Sequence, residues 1–107
     1  MKLGQTETDK KGNETVIKTV DTKDEKGKKA KAVLLDNGEI VIIKKGTGLD
    51  AEDALELAGG NKKAYMSAMM SKCVTVSGSH LLFEDFAAYF TLGEYLLVQG
   101  AFGEINF

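Results

Sequence analysis

The chain contains no arginine and no proline, and it has one cysteine and one histidine. Each scarcity closes a possibility. Arginine is the side chain best shaped to grip phosphate or guanine through two parallel bonds, so its absence weighs against nucleic-acid recognition. Without proline, punctuation falls to Gly, Asn and Asp. Cys73 stands alone, which excludes an internal disulfide framework and makes a reducing compartment the simpler reading. His80 cannot build a triad by itself. With Cys73 it gives two ligands seven residues apart, where zinc takes three or four at set spacings, so no metal and no cofactor are expected. Cys73 would need an activating neighbour to act as a nucleophile; inside a helix it reads as a small buried hydrophobe. No apolar run approaches the ~20 residues of a membrane span, and the polar start lacks the apolar segment of a secretion signal. No membrane association is expected.

What the chain does have is one domain's worth of ordinary globular sequence. Its 107 residues are 43% apolar and 28% charged, which sets it apart from disordered chains. The charge is uneven. Residues 1–31 carry nine Lys against six acids, net +3, and residues 32–107 carry five Lys against ten acids, net −5. The first segment therefore reads as a polar, lysine-rich arm, partly a strand over 14–22 or mobile, with its lysines interleaved with acids as on a solvated face. Residues 32–107 read as one α+β domain.

That domain opens with the clearest β signal. Asn37-Gly38 between two apolar runs predicts a hairpin over 32–45 closed by a type I′ turn. Ile40 to Ile43 are apolar without interruption, so both faces of the second strand are candidates for cover. Gly46-Thr47-Gly48 lacks the third glycine or Gly-Lys-Ser/Thr of a phosphate loop and reads as a hinge. A helix over 50–58 follows, capped by Asp50, with Ala51, Ala54, Leu55 and Ala58 as its apolar stripe and Gly59-Gly60 as its stop. Asn61 caps a second helix over 62–73, with Tyr65, Met66, Met69, Met70 and Cys73 on one side. Residues 74–80 read as a linker turning at Ser77-Gly78. A third helix spans 83–89. Thr91 and Glu94 form a capping box for a last helix over 91–102, striped by Leu92, Tyr95, Leu96, Gln99 and Phe102. The predicted fold is thus an N-terminal hairpin or small antiparallel sheet followed by a bundle of about four helices.

No catalytic residue emerges. The acid pairs Glu52/Asp53 and Glu84/Asp85 open helices, where the dipole favours them, and adjacent helical residues do not face each other. The chain is expected not to be an enzyme. Met66, Met69 and Met70 can serve as an adaptable binding face or as core filling. The ending Ile105-Asn106-Phe107 is unusually apolar for a chain end. Burying Ile105 and Phe107 would each be worth roughly 1.5–3 kcal/mol, so Tyr95, Phe102, Ile105 and Phe107 join the methionines as candidate partner-binding residues.

From Thr47 to Phe107 the layout resembles the small tail assembly chaperones of long-tailed bacteriophages. The features are the Asp-Asn-Gly turn, the helix Asp50-Ala-Glu-Asp-Ala-Leu-Glu-Leu-Ala58 closed by Gly59-Gly60, and a second helix bearing Tyr65-Met-Ser-Ala-Met-Met70. A Val-Ser-Gly turn, an acidic Glu84-Asp85 helix, a Tyr-Leu-Leu-Val helix and an Asn-Phe terminus complete them. Residues 1–31 lie outside the resemblance. It implies a non-enzymatic protein of the bacterial host cytoplasm that binds the tape measure protein, keeps its long helices soluble and helps recruit tail tube subunits. Many such proteins also exist in a longer frameshifted form. Two alternatives stand beside it: a structural or self-associating virion or adaptor protein, which includes a homo-oligomer, and a small nucleic-acid-binding module using the lysine arm.

Overall fold

The turns organise the first half of the molecule. In the computed structural model, which describes residues 2–107, β1 (Thr6–Thr8) and β2 (Glu14–Val16) make a two-stranded hairpin. β3 (Thr19–Lys23), β4 (Lys29–Leu34), β5 (Ile40–Lys44), β6 (Val74–Val76) and β7 (Ser79–His80) form one antiparallel sheet in that spatial order. The first three hairpin turns share one design. The carbonyls of Asp9, Asp24 and Leu35 accept the N–H of Gly12, Gly27 and Gly38 at 3.1, 3.0 and 3.0 Å. The residue after each glycine then accepts the N–H of the residue that opened the turn, at 2.9 Å in all three. The glycines take φ of 83°, 77° and 89°, which is the geometry of a type I turn followed by a glycine bulge.

The type I′ turn predicted at Asn37-Gly38 is therefore absent there. Asn37 keeps a negative φ and spends its side chain on Glu39, accepting its N–H at 3.0 Å and donating to its carboxylate at 2.7 Å. Positive φ at two successive turn residues occurs instead at Ser77 (50°) and Gly78 (85°), between β6 and β7. Residues 74–80, expected as a linker, are thus a tight hairpin added to the sheet. In the first two turns the Asp side chain also accepts two backbone N–H groups, from Lys11 and Asn13 in one and from Lys26 and Lys28 in the other. Asn13 and Lys28 contribute most to holding these carboxyls below the usual range.

The lysine-rich first third is strand and turn throughout much of its length, and residue 31 lies inside β4. The strand expected over 14–22 divides at Ile17-Lys18. Ile17 N–H still donates to Gln5 of the first hairpin (2.8 Å), whereas the Lys18 carbonyl accepts Leu34 N–H (2.8 Å). From there β3 pairs with β4, from Thr19↔Val33 to Lys23↔Lys29.

Four helices follow: α1 (Gly48–Ala58), α2 (Lys62–Cys73), α3 (Phe83–Tyr89) and α4 (Leu92–Asn106). The fold is α+β. α1 begins earlier than predicted because Thr47 is its cap: Thr47 Oγ1 accepts Asp50 N–H and the Asp50 carboxylate accepts Thr47 N–H, a capping box in what read as a hinge. The predicted box at Thr91 and Glu94 starts α4. α4 then runs through Gly100 and Gly103 to Asn106, beyond its expected end.

Strand alternation puts Val33, Leu35, Val41, Ile43, Val74 and Val76 on the helix side of the sheet. Met70, Phe86, Phe90, Val98, Ala101 and Phe102 meet them in one buried cluster. Ile40 and Ile42 of β5 point the other way, and Ile40 is exposed, so the helices cover one face only. Polar ties fix α4 to the sheet along its length. Glu94 accepts Asp36 N–H at 2.8 Å. Lys31 Nζ sits 2.7 Å from both Asp21 of β3 and Glu104 of α4. Asn106 accepts Gly46 N–H at 2.7 Å and donates to the Phe102 and Lys44 carbonyls at 3.1 and 3.4 Å. Position 46 needs glycine, since a Cβ there would lie 2.8 Å from Cys73 Sγ.

Candidate functional site

The predicted partner-binding residues divide three ways. Met70 and Phe102 are sealed in the core and present no surface, because both lie on the helix sides turned toward the sheet. Met66, Met69, Tyr95 and Ile105 are half-buried and pack against that core. Tyr95 stacks edge-on to Phe86 at 6.5 Å, and its hydroxyl lies 3.4 Å from Ser67 Oγ. Phe107 alone is open, at 87% exposure, with one edge of its ring against Phe102. These residues form no single face.

Two other apolar surfaces stand out. The first is a groove of about 410 Å³ where α1, the end of α2, β7 and the start of α3 meet. Leu57, Leu81, Leu82 and Phe83 supply its apolar lining, and Lys72, His80 and Glu84 its polar rim. Leu82 is 69% exposed and Leu57 45%. Local sequence explains both. Leu82 is the residue before α3 and makes no side-chain cap, so it projects from the junction. Leu57 flanks the buried Ala54–Ala58 line of α1. His80 Nδ1 is 3.1 Å from the Ser71 carbonyl. A carbonyl only accepts, so Nδ1 carries the proton and the ring caps the last turn of α2. Lys72 Nζ lies 3.9 Å from the Asp53 carboxylate on the α1 side of the rim. On the other flank of α1, Leu55 borders a smaller hollow of about 270 Å³ with Ala58 and Tyr65.

The second surface is the outward arc of α4. The stripe predicted there included Leu92 and Leu96, yet these are 78% and 56% exposed. The buried side holds Glu94, Val98, Ala101 and Phe102. Glu94 can turn inward because the backbone N–H groups of Thr91 and Asp36 take up its charge and hold its carboxyl below the usual range. α4 is apolar nearly all round, so spacing alone could not choose its inner face.

The remaining reactive groups are quiet. Burial, then the nearby Asp50 charge, pushes the Cys73 thiol up to about 11, so it stays protonated at neutral pH. Among the described residues no three His, Cys, Asp or Glu side chains converge as metal ligands would. No described helix is long and apolar enough to cross a membrane. Several lysines of the first half are engaged with acids: Lys18 with Asp36, Lys31 with Asp21 and Glu104, Lys44 with Glu25. Glu39 collects Asn37, Ser77 and Tyr89. The Tyr89 hydroxyl does most to lower the Glu39 carboxyl, and that carboxylate raises Tyr89 in turn.

The sequence signal for the groove was available in Leu81-Leu82 before a helix that begins at Phe83, since two leucines at a cap cannot both face inward. Compared with known proteins, the chain matches no family model, no curated protein and no solved structure.

Proposed function

We propose that the protein is a tail assembly chaperone of a long-tailed bacteriophage. It acts in the bacterial host cytoplasm, without catalysis, by binding the tape measure protein and helping recruit tail tube subunits. The observation that carries this reading is the Leu57–Leu82 groove, an apolar trough with a polar rim outside the sealed core. Its lining suits one or two apolar side chains of an amphipathic helix, held as in helix-in-groove recognition. A client with long, partly apolar helices needs such cover until it assembles. The resemblance of residues 47–107 to the chaperones supplies the identity of that client.

Co-expression with the tape measure protein of the same phage tests the reading. Wild-type chain is expected to keep the tape measure protein soluble and to co-purify with it, and Leu82→Glu with Leu57→Glu to lose both effects while staying folded. Undiminished capture by that variant would remove the groove from the account. Recovery of the protein from purified virions would favour a structural component over a chaperone.

A further inference from the structure

Two walls of the Leu57–Leu82 groove carry charge of one sign. α1 holds Asp50, Glu52, Asp53 and Glu56, α3 holds Glu84 and Asp85, and neither helix contains a lysine. Asp50 is spent on its own helix cap. Glu52, Glu56, Glu84 and Asp85 are exposed. Beside the groove lies a second hollow of about 320 Å³, lined by Asp53, Glu56, Leu57 and Lys72. Leu57 and Lys72 line both hollows, so the two make one trough. Its acids are Asp53 and Glu56 at one end and Glu84 at the other.

Elsewhere the chain sets its own lysines against its acids, as in Lys18 with Asp36 and Lys31 with Asp21 and Glu104. The trough is different. Lys72 is the one lysine in its lining, and it stands 3.9 Å from Asp53. Among the described residues no lysine pairs with Glu56 or Glu84. Glu84 opens α3, where the helix dipole favours an acid. Glu56 has no such reason: it sits in the last turn of α1, where the dipole favours a cation and none is present. The fold gains nothing from a carboxylate there.

We propose that the trough takes a cationic amphipathic helix. Its apolar side chains lie between Leu57 and Leu82, and lysine or arginine on its flanks meets Glu56 at one end and Glu84 at the other. This narrows the chaperone reading to a class of client segment and rests on that reading. The same charges disfavour a second copy of this chain, because residues 32–107 carry a net −5 and would bring acids against acids. Exposed ion pairs are individually weak, so the leucines supply the affinity and the carboxylates choose among apolar helices.

Two synthetic helical peptides test this against the intact chain. Both carry the same leucines at i, i+3 and i+7; one has lysines on the flanks of that stripe and the other glutamates. By fluorescence anisotropy in ~0.01 M salt, the lysine peptide is expected to bind wild type at least about tenfold tighter than the glutamate peptide. In ~1 M salt, where the Debye length falls from ~30 Å to ~3 Å, the two should agree within about twofold. Glu56→Gln with Glu84→Gln should cut the low-salt advantage by about threefold or more. Leu57→Ser with Leu82→Ser should lose both peptides. Equal affinities for wild type in low salt overturn the proposal, and so does an advantage that the double Gln variant keeps in full. If the Ser variant still loses both peptides in that case, the groove stands and only the charge selection falls. If the Ser variant binds as wild type does, the groove reading falls and the proposal with it. Binding of neither peptide by wild type also overturns the proposal and leaves the tape measure reading to its own capture experiment.

Discussion

Gly38 and Gly100 are the same residue doing opposite things in the two halves of the molecule. Gly38 sits at φ 89° in a turn that only a residue without a side chain closes cheaply. Gly100 sits in mid-helix with open space around it, where glycine is a cost. The contrast extends to the surfaces. Among the described residues, two of the ten exposed large hydrophobics, Val16 and Ile40, belong to the strands of the first half. The other eight lie from Leu49 onward, on or beside the helices. The strand half is held by repeated turns and ion pairs, and its exterior is largely polar. The helical half is held by the shared core and keeps leucines outside. Those exposed leucines are why the proposed function is placed there.

Both halves depend on one core, so its loss should be the largest effect. Phe86 is fully buried and edge-on to Phe90 and Tyr95. Phe86→Ala is expected to lower unfolding free energy by about 3–5 kcal/mol, measured by urea titration. Next comes the tie between the halves. Asn106→Ala strands the Gly46 N–H at a part-buried site and should cost about 1–3 kcal/mol. A loss near zero would mean that the α4 terminus is not locked to the sheet. The glycine contrast is then directly measurable: Gly38→Ala should destabilise by about 1–2 kcal/mol, and Gly100→Ala should stabilise by up to about 1 kcal/mol. Equal signs would break the comparison.

A smaller effect concerns pH. Folding lowers the Glu94 carboxyl from its ordinary 4.5, so the unfolded chain binds that proton more readily than the folded one. The stability this group contributes is complete above pH 4.5 and drains as pH falls through the lower folded value. Melting temperature should therefore drop on acidification below that point, and Glu94→Gln should flatten the drop. An unchanged profile in the variant would show that Asp36 and Thr91 do not hold the charge.

Much of the architecture was legible in the residues. Asn61 and the Thr91–Glu94 box marked two helix starts within a residue, and Ile40 to Ile43 marked a strand. The repeated Gly-bulge turns were written in Asp9-x-x-Gly12 and Asp24-x-x-Gly27, a pattern hidden because Asn37-Gly38 is the stronger signal for a different turn. β6 and β7 are too short to show alternation, so Val74–His80 read as linker. Thr47 read as hinge because glycines flank it. The site was less legible for one reason: α4 is apolar nearly all round, and with Glu94 inward the helix sits roughly a third of a turn from the stripe that spacing suggested. Leu92 and Leu96 of that stripe therefore came out, while Phe102 stayed inside.

The central claim is that the helical half grips another polypeptide through leucines that lie outside its buried core. Isothermal titration of the tape measure protein into wild type and into the Leu57→Glu, Leu82→Glu variant tests it most directly. The account predicts saturable binding by wild type, at least about a tenfold loss in the variant, and unfolding free energies within about 0.5 kcal/mol of each other. Equal affinities, or a variant that binds poorly because it has unfolded, would contradict it.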